Sequence, residues 1–278
     1  MRPPKSPPPL PPARIWVLLA SEASTAVIFR RGPSRWTRLY LWNTRTDEIT
    51  PGSWFEGQLY EAMSDLSPDG EHLLYFARNE SLGRQRAAKV RFGVDRFDTW
   101  TALCRPPWVK AVGLWRVSGG FTGGGVFDKN RTVWLYNIYS SAETPIQPGG
   151  FTVRLGKAES QPPILLASMQ RSGWQGIQPS ASSSVGDSLP LTLHKGALEL
   201  RLSKFEYKVH KTYLWHKPQP APGLEGASWA DIDQQGRLVY ARAGKLLAVT
   251  AGHEVELADL NPDQPLKRAG QNAQETSR

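Results

Sequence analysis

A short segment that occurs twice constrains this chain more than any other feature. Ser64-Asp65-Leu66-Ser67-Pro68-Asp69-Gly70-Glu71-His72-Leu73-Leu74-Tyr75-Phe76-Ala77-Arg78 aligns with Ala230-Asp231-Ile232-Asp233-Gln234-Gln235-Gly236-Arg237-Leu238-Val239-Tyr240-Ala241-Arg242. Each copy runs Asp, branched apolar residue, three more residues, Gly, then an apolar run closing on Ala-Arg. The physical reading is a hairpin. Asp-Gly or Gln-Gly supplies the positive φ that a tight turn demands, and the run after it is apolar enough to be a buried strand. An aromatic strand precedes each copy, Tyr40-Leu41-Trp42 before the first and Tyr213-Leu214-Trp215 before the second. Trp134-Leu135-Tyr136 has the same form. Alternation puts both aromatics of such a triplet on one face and Leu on the other.

Further short apolar runs at Trp16–Leu19, Ala26–Arg30, Arg38–Asn43 and Leu73–Ala77 are broken by turn residues, the pattern of an all-β chain. Tryptophan, at 11 residues, outnumbers Phe and Tyr, and Gly (25) and Pro (23) are plentiful. Helical periodicity is scarce: Ser81–Val90 fits a short surface helix and Glu256–Leu260 a single turn. Asp65 and Asp231 are 166 residues apart, close to four repeats of the ~40–45 residues usual for propeller blades. The span 15–260 then holds a β-propeller of about five or six blades with few helices. A proline-rich arm at 1–14 precedes it, extended as polyproline II through Pro12, and a polar tail at 261–278 follows it. Ser180–Ser188 reads as a low-complexity loop.

The segment Asp65-Leu66-Ser67-Pro68-Asp69-Gly70-Glu71-His72-Leu73-Leu74-Tyr75 resembles the Ser-Pro-Asp-Gly blade repeat of WD-like bacterial β-propellers, a repeat shared with the Tol-system propeller and the propeller of prolyl oligopeptidases. The match covers about 15 residues, with the degenerate copy at 230–242. The resemblance implies a propeller fold and a habit of binding other macromolecules. It implies no catalytic residue, because the repeat is structural in that family.

Chemistry is mostly absent. The single cysteine, Cys104, excludes an internal disulfide framework and a Cys-based zinc cluster, and it fits a reducing, cytoplasmic setting. A catalytic role for it is a weak alternative. No run reaches the ~18 apolar residues of a membrane helix, and Ile15–Ala20 is too short for a signal-peptide core. The five histidines are scattered, and His210 and His216 would stand ~20 Å apart along one strand face, too far to share a metal. No Gly-x-Ser-x-Gly elbow is present, and Gly150–Ala158 departs from a phosphate loop in spacing and lacks the Ser/Thr for magnesium. Gly119–Gly125 reads as a close-packed turn or bulge. We therefore expect no metal and no cofactor. Paired carboxylates drawn from Asp47, Glu48, Asp65, Asp69, Asp128, Asp231 and Asp233 would make a propeller glycosidase, the enzymatic alternative.

Charge points to partners. The chain carries a formal +9, and the cations cluster with aromatics. Arg30–Arg38 holds four Arg besides Trp36, Arg84–Arg96 is a second basic stretch, and Lys204, Lys208 and Lys211 alternate along a third. Cations interleaved with rings suit nucleic acid, whose phosphates meet the cations and whose bases stack on the rings, or an anionic surface. The candidate binding residues are Arg31, Arg35, Trp36, Arg38, Arg84, Arg86 and Arg91. The expected role is a non-enzymatic binding or scaffold propeller engaging a protein partner, with nucleic acid or another polyanion as the alternative ligand.

Overall fold

The structure is a computed structural model. It describes residues 10–32, 35–93, 97–117, 123–136, 138, 145–156, 164–176, 190–205, 208–217 and 223–265. Most of the proline-rich arm, the 180–188 loop, Gly119 to Thr122 and the end of the polar tail lie outside these residues, as do the side chains of Lys204 and Lys208.

Five small sheets follow one another along the chain and form a five-bladed β-propeller. Blade 1 is β1 (Arg14–Leu19), β2 (Thr25–Arg31), β3 (Trp36–Asn43) and β4 (Ile49–Glu56). Blade 2 is β5 (Gln58–Leu66), β6 (Leu73–Arg78), β7 (Thr99–Cys104) and β8 (Ala111–Arg116), with helix α1 (Leu82–Phe92) between β6 and β7. Blade 3 has β9 (Gly125–Lys129), β10 (Thr132–Tyr136) and β11 (Thr152–Gly156), and helix α2 (Ile164–Arg171) follows it. Blade 4 has β12 (Leu191–Lys195), β13 (Leu198–Phe205) and β14 (Lys208–Trp215). Blade 5 is β15 (Ala227–Ile232), β16 (Leu238–Arg242), β17 (Lys245–Thr250) and β18 (His253–Asp259). Residues 256–259, read from sequence as one helical turn, are strand, because β18 pairs with β17 from His253 to Asp259.

Both repeat copies join the first and second strands of a blade. Gly70 has φ +73° and Gly236 φ +75°, and each donates its N–H back to the residue three before it, at 2.8 and 2.9 Å. The copies are three blades apart, not four. The 166 residues between them include α1 and the α2-bearing connection between β11 and β12, so these steps exceed the usual blade length. Blade 3 departs from a simple meander, since β11 runs parallel to β10. On the way, Ile146 bridges Leu114 at the free edge of β8. The close-packing expectation holds for the described glycines: a side chain on Gly123 would meet the Phe76 ring, and on Gly124 and Gly125 the backbone of Met63 and Trp134.

Trp42 and Trp215 each lie in the third strand of their sheet in chain order, but their settings differ. Trp42, in a strand paired on both sides, is fully buried. Trp215 lies in the edge strand β14, half-buried beneath the Lys217 ammonium.

Among the described residues no strand is exchanged to close the ring. Blade 5 and blade 1 are joined by a polar seam instead. Arg30 Nε donates to Leu260 O at 3.0 Å, and Arg38 NH1 forks both oxygens of Asp263 at 2.7 and 2.6 Å. Tyr40 Oη also donates to Asp263. On the far side, Arg237 bonds Asp47 through both terminal nitrogens at 2.8 Å. That guanidinium holds the Asp47 carboxyl below its usual range.

The axial channel is closed at one end by α2 and the Trp174 that follows it. Ser168 Oγ and Arg171 NH2 donate to Asp65 at 2.7 and 2.5 Å, and Arg171 NH1 donates to Phe127 O at 2.6 Å. Trp174 Nε1 donates to Asp231 at 3.3 Å. α2 thus meets β5 and β9 directly and borders β1 and β15 around a void of about 30 Å³, about one water. A segment reaching those four strands lies on the axis.

Candidate functional site

Strand direction divides the propeller into two sides. β1, β5 and β15 all start on one side and end on the other. The tight turns at 20–24, 67–72 and 233–237 therefore lie together on a turn side, next to the α2 plug. The β2–β3 connection, Gly57 and the α1 insertion lie on the opposite, loop side. Six of the seven predicted binding residues stand at this loop side: Arg31 ends β2, Arg35 directly precedes β3, Trp36 opens it, and Arg84, Arg86 and Arg91 are on α1.

Arg38 does not join them. Alternation splits the Arg30–Arg38 run between the two faces of blade 1. Arg31 pairs across strands with Thr37 and shares its face, toward blade 2. Arg30 and Arg38 share the opposite face, toward blade 5, where Arg38 is locked to Asp263 and stacks over Trp54 at 5.3 Å. Only 22% of its side chain is exposed. Trp36, on the same face, packs edge-on to Trp54 at 6.4 Å. Arg35 is open to solvent and pairs with Glu56 at 3.2 Å.

α1 carries Arg84, Arg86, Lys89 and Arg91 and no acidic residue. Its one buried residue is Ala88, while Leu82 and Val90 are exposed. The helix is held by aromatic contacts rather than by an apolar stripe. The Arg84 guanidinium lies over Phe55 at 5.5 Å and over Trp100 at 5.4 Å, and that of Arg91 over Phe92 at 5.1 Å. Ser81 precedes the helix, and Gly93, at φ +70°, ends it. Between α1 and blade 2 runs a cleft of about 550 Å³ lined by Phe55, Tyr75, Phe92, Phe97 and Trp100. Arg84, Arg91 and Lys110 are the ionisable cations on its walls, and none of the described lining residues is acidic. Tyr75 Oη, at its floor, donates to Val109 O at 2.9 Å. The cations were legible in the sequence but the cleft was not, because its rings come from four separate segments.

Apart from Glu48, which is exposed, the carboxylates of the glycosidase alternative are bonded within the frame. Asp65 is held by Ser168 and Arg171, and Asp231 by Lys195 at 2.7 Å and by Trp174. Burial nevertheless pushes the Asp231 carboxyl above its usual range. Asp69 accepts from Ser67 and Asp233 from Arg237 inside the repeat turns, and Asp128 pairs with Arg154. Cys104 is fully buried in β7, and burial raises its thiol pKa.

A second, smaller cavity of about 110 Å³ opens at the loop-side mouth of the channel. Its walls include Arg14, Trp16, Arg31, Thr37, Glu61 and Lys211. Lys211 was one of an alternating set in the sequence; nothing there marked it as the member at the channel.

Fold and site together define a five-bladed propeller with a plugged turn side and a basic, aromatic-lined loop side. No protein-family model matches the chain, and no curated protein matches it. Among solved structures it is similar to an uncharacterized protein from Listeria monocytogenes EGD-e, at 11% identity over 91% of this chain and 85% of that one, with a TM-score of 0.22. That score is too low to carry an argument. Among the described residues no helix is long and apolar enough to cross a membrane.

Proposed function

We propose that the protein is a binding module that docks an acidic segment of a protein partner, carrying an aromatic or large apolar side chain, against α1 and the cleft beneath it. One observation carries the reading. A helix with four basic and no acidic residues roofs a cleft of about 550 Å³ walled by five aromatic rings. That volume is in the range of pockets that enclose a ligand group, and rings with a few placed cations give both desolvation and orientation. Arg84 and Arg91 stack on rings of the site, so their charge is presented on a fixed plane rather than on a free stem. Arg86 adds attraction at the rim, which affects encounter more than residence.

The test is fluorescence anisotropy with three probes: an acidic peptide containing Phe or Trp, the same peptide with Ala for the ring, and a single-stranded oligonucleotide. The reading expects the first to bind, the second to bind about tenfold more weakly, and Arg84→Glu with Arg91→Glu to abolish binding. Preference for the oligonucleotide, with affinity falling steeply in salt, replaces this reading with the polyanion one.

A further inference from the structure

The channel-mouth cavity holds a combination that a folded protein does not leave unanswered. Arg14 and Arg31 are direct cross-strand partners of β1 and β2. Like charges placed opposite each other destabilise a sheet. A third cation, Lys211 of β14, comes in from blade 4 and sits over the Trp16 ring, 3.5 Å from its centroid. Among the described wall residues, one carboxylate, Glu61 of β5, stands against these three cations. Two further wall residues carry polar atoms with no partner: the indole Nε1 of Trp16 and the hydroxyl of Thr37 are both buried and unbonded. A buried donor left without a partner destabilises the fold. Ile15 and Phe29 add hydrocarbon to the wall, and Ser228, whose hydroxyl donates to Ile15 O at 3.0 Å, lines it as well.

We propose that this cavity is a binding site for a short-chain carboxylate. The carboxylate group would face Arg14, Arg31 and Lys211, with the indole N–H and the Thr37 hydroxyl as further donors. Its carbon body would lie against Trp16 and Phe29. The charge count favours an anion: among the described wall residues, three cations against one carboxylate leave a net +2 when Lys211 is protonated. Arginine forks match the two oxygens of a carboxylate. Size favours a small one, because about 110 Å³ corresponds to roughly three or four waters. The apolar wall favours a carboxylate over inorganic phosphate, which has no carbon body to bury. The site is separate from the α1 cleft, so neither proposal depends on the other.

Isothermal titration with propionate, succinate and inorganic phosphate tests this on the full-length chain. The expected result is saturable one-to-one binding of at least one carboxylate, weakened about tenfold or more by Arg31→Met and by Lys211→Met. Arg45→Met, which removes an exposed cation on the turn side, should leave it unchanged. Soaking crystals in the bound carboxylate provides a second measurement, with density expected between Arg31 and Lys211, and serves if a variant fails to fold. Absence of saturable binding by either carboxylate overturns the proposal, as does binding insensitive to both substitutions. Phosphate bound as tightly as the best carboxylate overturns the choice of ligand class.

Discussion

Lys211→Met should make the protein more stable at neutral pH, and the gain should shrink as the pH rises. The ammonium of Lys211 is drawn out of water against Trp16, and that burial lowers its pKa from 10.5 to about 8, Glu61 offsetting the fall in part. Arg14 and Arg31 face the same cavity and do nothing to favour the charge. Desolvation outweighs the attraction of Glu61, so the pKa falls. One pKa unit corresponds to about 1.4 kcal/mol, which puts the cost of the folded ammonium at about 3 kcal/mol. The sign follows from proton binding. Below pH 8 the folded and unfolded chains both carry the proton, and the cost is fully present. Between pH 8 and 10.5 the folded chain has released the proton while the unfolded chain keeps it, so the wild type gains stability as the pH rises. Urea unfolding of wild type and Lys211→Met at pH 7, 8, 9 and 10 measures this directly. Methionine should be ahead at pH 7 by about 3 kcal/mol, and the difference should close toward pH 10. Stability curves that stay parallel across that range would refute the buried-ammonium argument, whatever their offset.

Other expectations are as specific. Gly70→Val should destabilise by more than the ~1 kcal/mol of an average substitution, because its Cβ would stand 2.7 Å from the Thr25 Cβ as well as at positive φ; Gly236→Val, with open space around it, should incur the backbone strain alone and cost less in thermal unfolding. Asp263→Ala should cost about 2–3 kcal/mol by leaving Arg38 without its partner, and urea denaturation of the full chain will show it; an unchanged midpoint would mean the seam is not what closes the ring. Asp65→Asn should loosen the α2 plug and speed proteolytic cleavage near residues 164–176, with little effect on peptide binding at α1. If a single strand binds the loop side through four phosphate contacts, the log–log salt slope should be about −3; Arg84→Glu with Arg86→Glu and Arg91→Glu should flatten it, and a slope near zero would exclude the polyanion alternative.

What was legible in the sequence was what depends on local chemistry. Gly70 and Gly236 are read as turns because a positive φ is a property of one residue, and the structure has both at that conformation. The surface helix near 81–90 and the strand at Val126 follow from the same kind of local reading. The blade step was misjudged because insertions leave no periodic trace: α1 and α2 lengthen two intervals without changing the hairpins on either side. α2 itself was missed. Its eight residues, Ile164–Arg171, are too few to show a helical stripe, and they are buried by the inner strands of separate blades rather than by one neighbour.

The binding residues show the limit more sharply. Arg31 and Arg38 are seven positions apart in a run that reads as one patch, yet a β2–β3 hairpin folds between them. Pairing fixes which face each residue takes: Arg31 lies opposite Thr37, and Arg30 opposite Arg38. A charge cluster in a hairpin is therefore two clusters, one for each face, and only the register says which residue belongs to which. Here the blade 5 face holds an acidic partner, Asp263, reached from more than 220 positions away, and that partner converts Arg38 from a surface cation into a clasp. The blade 2 face brings Arg31 to Arg14 and Lys211, which no linear reading places together. The functional difference between two arginines of one sequence run thus comes from strand parity and from the residues that parity presents to each.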